Sequence, residues 1–214
     1  DIPAMLARLD KEGRGIDTLS RDEMSALGQE YLDRTRIQRK SDKPFFIDKL
    51  PNNWLHTGFI HLILPNAKII DARRHPLACG FSNFKQHFAR GQAFSYGLAD
   101  MGRYYADYVR LMAHFDDVIP QVVTRVIHEE LVEDSDAQIR ALLDALGLSF
   151  EEACLRFWEN DRAVRTASSE QVRQPIFKGG SDQWQPFEAW LGPMKQALGP
   201  VLSAYPTIPV AFLP

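Results

Sequence analysis

Apolar positions along the chain recur with two periods, and these predict its elements. Met24, Leu27 and Tyr31 return every three to four residues, the spacing of a helix that buries one face. Ser20 precedes them with Glu23 three residues on, a reciprocal cap, so a helix is expected from there to about Gln38. Leu98, Met101, Tyr105, Tyr108, Met112 and Phe115 keep the same period and predict a long helix over 98–115, with its aromatic stripe in a core. Ile139, Leu142, Leu143 and Leu146 predict another, capped by Ser135 with Gln138 and stopped by Gly147. Ser149 with Glu152 is expected to cap the next. Shorter helices are expected over 2–9 and, behind Asn52 or Asn53 as cap, over 54–64, with a last one around 187–198 interrupted at Gly192-Pro193. Three short β-prone runs, 44–48, 68–72 and 122–127, read as strands. The first two, joined through a helix, make a βαβ unit and therefore a parallel sheet with a right-handed crossover. Over 163–182 the pattern dissolves into Arg, Ser, Gln, Lys and Gly, an irregular segment of a length that usually carries function.

Composition narrows the class. The 214 residues are 45% hydrophobic and 25% charged, enough for one globular domain with a substantial core. A net charge of −3 argues against nucleic acid as the main partner, which calls for a basic excess. No apolar run approaches the length that crosses a bilayer, so no membrane partner is expected. Cys79 and Cys154 are far apart and form no metal or redox pair; they read as reduced thiols of a cytoplasmic protein. The six histidines are scattered, and no metal site is read. Arg34, Arg36, Arg39 and Lys40 crowd the end of one predicted helix, where cations suit its dipole, and read as a solvated face. The chain opens at Asp1 with no secretory signal, and its natural N-terminus is expected upstream.

The most informative chemistry lies over 67–82. The strand over 68–72 is followed by Arg73 and Arg74, and Pro76 then stands where a helix begins, since its missing N–H costs nothing there. The arginines thus fall where the carboxyl end of a strand meets the amino end of a helix, the place where open α/β sheets bind ligands and where anions are favoured. Arg74 offers a planar, permanently charged fork suited to phosphate. Ser82, about two helical turns on, can donate a hydroxyl to the same anion. Lys49 ends the strand over 44–48, which runs the same way, and can converge on the same ligand.

Three separated motifs resemble the sulfotransferase superfamily, in particular the bacterial branch often fused to tetratricopeptide repeats and related to tyrosylprotein sulfotransferases. Phe46-Ile47-Asp48-Lys49-Leu50-Pro51-Asn52-Asn53 is similar to the strand and loop that bear a catalytic lysine. Arg74 and Ser82, with the lead-in Pro-Asn-Ala-Lys-Ile-Ile over 65–70, match the pair that grips the 3′-phosphate of 3′-phosphoadenosine 5′-phosphosulfate (PAPS). The run over 165–175 resembles the late nucleotide-binding loop, and Lys178-Gly179 with Trp184 the element that closes over the 3′-phosphate. The resemblance implies an α/β fold with a three-layer, P-loop-like parallel sheet flanked by helices, in one domain over 1–214. It implies a sulfotransferase that moves a sulfuryl group from PAPS to an acceptor hydroxyl on a peptide tyrosine, a sugar or a small molecule, with no metal. Lys49 and Ser168 would be catalytic; Arg74, Ser82, His128, Lys178 and Gly179 would bind PAPS. A repeat domain upstream in the full-length protein is a further implication.

The chain departs from the pattern in four places. The family opens with a strand and a Gly/Ser/Thr-rich loop cradling the 5′-phosphosulfate, and none of the thirteen glycines stands in such a context. Asp1-Ile2-Pro3 resembles the segment after that loop, so the loop and the general base are expected upstream of Asp1. His128 stands where relatives have a tyrosine near the adenine. Gln86 and Gln183 replace an arginine and a lysine of the tyrosylprotein enzymes. Two other readings stay open, a catalytically inactive nucleotide-binding or scaffold module of the same fold, and a nucleotide kinase-like enzyme.

Overall fold

A computed structural model describes residues 1–39, 41–88, 91–160, 171–176 and 178–213, the side chains of Gln171 and Lys178 excepted. The backbone falls into two compact units, Asp1–Ile69 and Ile70–Pro214.

In the first unit, α1 (Ile2–Lys11), α2 (Arg21–Arg36) and α3 (Thr57–Ile63) enclose a core of Ile2, Met5, Leu9, Leu27, Tyr31, Phe59 and Ile63. The cap expected at Ser20 is present: its hydroxyl accepts from the Glu23 N–H, and Glu23 reaches back to the Ser20 N–H at 2.8 Å. The backbone and hydroxyl of Ser20, with Arg14, hold the Glu23 carboxyl down at about 2. Gly28 lets α2 and α3 meet closely, because a Cβ there would lie 2.0 Å from the Ile63 carbonyl oxygen. The helix expected over 54–64 is a 3-10 turn, Pro51–His56, leading into α3.

The strand expected over 44–48 is absent. Residues 45–50 carry no regular structure, and Phe45 and Ile47 are 72% and 89% exposed. An apolar run becomes a strand only when a neighbour takes its N–H and C=O groups, and periodicity in one segment says nothing about that neighbour.

In the second unit the sheet is small and parallel, pairing β1 (Ile69–Arg73, whose first residue closes the first unit) with β2 (Val123–Ile127). Between them run α4 (Pro76–Phe84) and α5 (Leu98–Val118); α6 (His128–Glu133) and α7 (Ser135–Leu146) follow, then α8 (Gly192–Leu198) and α9 (Pro200–Ala204). The crossover read for the first two runs is therefore made by α4 and α5, between β1 and β2. The core gathers Leu77, Met101, Tyr105, Ala106, Val109, Met194, Leu198 and Val201. Gly102 permits the crossing of α5 and α8, since a Cβ there would lie 2.7 Å from the Met194 carbonyl oxygen. α7 ends at Gly147, φ +70°, as expected, but Asp134 rather than Ser135 caps it, accepting from the Ala137 N–H at 3.1 Å. The hydroxyl of Ser135 is spent on the Leu131 carbonyl. Beyond Ser149 there is a kinked 3-10 run, Glu152–Glu159, with no side-chain cap. The last predicted helix is split into a 3-10 turn, Gln185–Trp190, and α8, which Gly192-Pro193 begins rather than interrupts.

Candidate functional site

The carboxyl end of β1 is anchored by charge. Asp71 and Arg73, two apart and on the same side of the strand, are both buried. Asp71 accepts from Arg73 Nη2 at 3.1 Å, from Arg125 Nε of β2 at 3.0 Å, and from the Tyr108 hydroxyl. Arg73 Nε also bonds the Tyr108 oxygen at 3.1 Å, and Arg125 reaches Asp116 at 2.8 Å. Arg73, singled out in the sequence beside Arg74, is thus a structural cation turned into the interior.

Arg74 lies beyond the ladder and turns the other way. With Ser82 it lines a cavity of about 10 Å³, completed by Ala78, Phe81, Gly180, Ser181, Gln183 and Trp184. Arg74 Nη2 donates to the Gly180 carbonyl at 2.6 Å, while its Nε is buried with no hydrogen-bond partner among the described residues. α4 opens beside it with Pro76 in its first turn. A permanently charged fork, a hydroxyl and a helix amino end therefore meet at one small cavity, a donor set for an anion. Lys85 sits at its rim, donating to Gln183 at 2.5 Å.

Behind Arg74 lies a titratable cluster. His75 stacks on Trp184 at 5.5 Å and meets the edge of Tyr205 at 5.2 Å. Burial pushes the His75 imidazole below its ordinary value; Glu129 and Asp182 oppose this, and Arg74 adds to it. His128, at the head of α6, is lowered by burial and then by the charge of Arg74. Burial works to raise Glu129, but hydrogen bonds from Tyr205 and the His75 N–H prevail and hold it below the usual carboxylate range. Tyr205 is raised by burial and by that same bond.

Of the residues the sequence singled out, Arg74 and Ser82 share the cavity, and the charge of Arg74 reaches His128. Gly179 lies exposed in the 3-10 turn Lys178–Gly180, next to the cavity-lining Gly180. The Lys178 side chain and Ser168 lie outside the described residues. Lys49 belongs to the first unit, exposed, beside Asp48, whose carboxylate accepts from the Tyr31 hydroxyl of α2. Sequence reasoning passed over Tyr105, Glu129 and Tyr205. Tyr105 sat in the stripe read as core, and its burial hides a hydroxyl that bonds the Arg74 carbonyl at 2.5 Å. Glu129 was legible only as a charge beside His128.

The model of a family described as the sulfotransferase family matches residues 5–152. The chain belongs to that family. An uncharacterized protein of Aquifex aeolicus (strain VF5) is 32% identical over 178 residues, 82% of this chain and 23% of its own length. A sulfotransferase domain from the curacin biosynthetic pathway matches with a TM-score of 0.51 at 17% identity, over 74% of this chain and 60% of that one. The chain thus spans about a quarter of the length of the Aquifex relative. The likeness to the curacin-pathway domain makes the small parallel sheet and its helices a sulfotransferase fold, as the P-loop-like reading expected. Among the described residues, no helix is long and apolar enough to cross a membrane, and no three His, Cys, Asp or Glu side chains group as metal ligands.

Proposed function

We propose that this chain carries the nucleotide site of a PAPS-dependent sulfotransferase acting in the cytoplasm on an acceptor hydroxyl. The carrying observation is the pairing of Arg74 and Ser82 in one cavity beside the amino end of α4. The buried Arg74 Nε, lacking an acceptor among the described residues, fits a phosphate oxygen. Arg74, Ser82 and, by resemblance, Lys178 and Gly179 would hold the 3′-phosphate, the group that distinguishes this donor from ATP. His128, half-buried and lowered from its ordinary value by burial and then by the charge of Arg74, would stack on the adenine.

In the transfer the bond from sulfur to the phosphate oxygen breaks and one from sulfur to the acceptor oxygen forms. The acceptor loses its proton to a base, and 3′-phosphoadenosine 5′-phosphate leaves. By analogy with phosphoryl transfer, the protein's part is to position the reactants and meet the charge growing on the leaving oxygen. Lys49 is assigned that charge and Ser168 a hydrogen bond to the same region, both from the family resemblance.

Calorimetry with 3′-phosphoadenosine 5′-phosphate tests the binding half. Arg74→Ala is expected to abolish the heat of binding; affinity near wild type refutes the assignment. Lys49→Ala tests the chemical half in the full-length protein. It is expected to slow turnover by about 10²–10³ with far less effect on nucleotide binding, the signature of a group that acts in the transition state. Nucleotide binding without any sulfuryl transfer by the full-length protein identifies an inactive binding module instead.

A further inference from the structure

The peptide unit that joins Arg74 to His75 is gripped at both of its polar atoms by side chains from other elements. Its carbonyl, that of Arg74, accepts from the Tyr105 hydroxyl of α5 at 2.5 Å. Its N–H, that of His75, donates to Glu129 Oε1 at the head of α6 at 3.1 Å. The other Glu129 oxygen accepts from the Tyr205 hydroxyl, and the Tyr205 ring lies edge-on to His75. This peptide has no regular structure to hold it, for β1 ends at Arg73 and α4 begins at Pro76. With neither a ladder nor a helical turn here, two side chains set the direction in which Arg74 leaves the backbone, and Tyr205 holds one of them in place.

We infer that Tyr105 and Glu129 are positioning residues of the anion site, fixing the Arg74–His75 peptide and so aiming the Arg74 guanidinium. The inference rests on the 3′-phosphate reading given above. Binding sites need their groups held to about 0.5 Å and 10–20°, and an arginine multiplies any backbone rotation along its length. Clamping the carbonyl and the N–H of one peptide removes the two rotations that flank it. Glu129 acts by this route and not by touching the ligand: a carboxylate facing a phosphate repels it, and Glu129 does not line the cavity. Both of its oxygens are given to donors within the protein. Tyr105 likewise spends its hydroxyl on the peptide while its ring, 5% exposed, stays in the core with Leu77 and Met101.

Two conservative variants separate aiming from packing. Tyr105→Phe keeps the ring and removes only the hydroxyl. Glu129→Gln keeps the shape but leaves one carbonyl oxygen to serve two donors. Each is titrated calorimetrically with 3′-phosphoadenosine 5′-phosphate and with 5′-AMP, which differ by the 3′-phosphate alone. Tyr105→Phe is expected to weaken the bisphosphate about fivefold, the size of one hydrogen bond, and to leave 5′-AMP within about twofold. Glu129→Gln is expected to shift the same ratio in the same direction, by less. Equal weakening of both ligands, or of neither, overturns the inference. Wild-type protein that binds the two ligands alike overturns the 3′-phosphate reading instead. Should Tyr105→Phe lose cooperative unfolding, the Glu129→Gln titration decides by the same criterion.

Discussion

Substituting Asp71 by Asn removes the one carboxylate shared by two guanidinium groups beneath the anion site. The Asp71 side chain is 6% exposed and that of Arg73 1%, so solvent cannot replace the lost charge. Breaking a buried ion pair by deleting one partner costs about 3–5 kcal/mol, because the remaining charge stays desolvated. Two features hold the expected cost near the lower end. Arg125 is 24% exposed and keeps Asp116 at 2.8 Å, and Arg73 keeps the Tyr108 oxygen at 3.1 Å. The asparagine amide, however, sets N–H donors against donors on at least one side. A loss of about 3 kcal/mol follows, which lowers Tm by about 6–12 °C for a chain of this size. Urea unfolding at pH 7, followed by circular dichroism, measures it. The double variant Asp71→Asn with Arg73→Met removes the buried cation left without its carboxylate and is expected to recover part of the loss. A single-variant loss below about 1 kcal/mol, the scale of an exposed pair, refutes the reasoning. So does a double variant less stable than the single.

Mild acid is expected to weaken the fold through its buried histidines. His75, His128 and, in the first unit, His56 are all lowered from 6.5 chiefly by burial, so the unfolded chain takes up protons that the folded chain refuses. Their contribution is complete above about 6.5 and is lost as pH falls from there through the lowered folded values. The urea midpoint should therefore drop between pH 7.5 and pH 5.5; a constant or rising midpoint contradicts the assignment. Gly102→Ala sets two effects against each other. Alanine favours the helix by about 1 kcal/mol, but its Cβ would meet the Met194 carbonyl at 2.7 Å and the Ala197 Cβ at 2.8 Å, and such overpacking costs about 1–3 kcal/mol. The expected net effect is destabilising, and a raised midpoint refutes the close-packing argument.

What could be read from the sequence was what depends on neighbours in sequence. The Ser20 cap, the Gly147 stop, Pro76 in the first turn of α4 and the period of α5 are local rules, and each is present in the fold. The failures share one cause. The strand expected over 44–48 needs a partner strand, and Phe45 and Ile47 are exposed without one among the described residues. Asp134 displaced Ser135 as cap because the hydroxyl of Ser135 had a nearby carbonyl to take. In the site, Arg74 and Ser82 were legible as a pair on one strand–helix junction, eight residues apart. Tyr105 and Glu129 were not, since the peptide they grip lies 31 and 54 residues away in sequence, counting from Arg74 and from His75, and Tyr205, which bonds Glu129, lies 130 residues beyond His75. Arg73, placed with Arg74 at the strand–helix junction, points to the other side of the strand, as alternation requires.

The size of the cavity adds a condition to the proposed function. About 10 Å³ holds no more than roughly one water, and a phosphate group with its oxygens is larger. What fills the place next to Arg74 is the Gly180 carbonyl, an acceptor supplied by the chain itself. Under the 3′-phosphate reading, entry of the nucleotide is an exchange of acceptors: Nη2 gives up a neutral carbonyl for a charged oxygen, and the buried Nε gains a partner it lacks among the described residues. The Nη2 bond is charge-assisted with either acceptor, but the phosphate oxygen adds the attraction of an opposite charge and Nε gains a bond it lacked, so the exchange favours the ligand at the arginine. The opposing terms are the displacement of Gly180 and the loss of the contact between Lys85 and Gln183 if the neighbouring backbone follows. Lys85 is exposed, and its bond is one that water replaces at little cost. The balance therefore lies with the guanidinium, which makes its fixed aim matter more than the shape of the cavity around it.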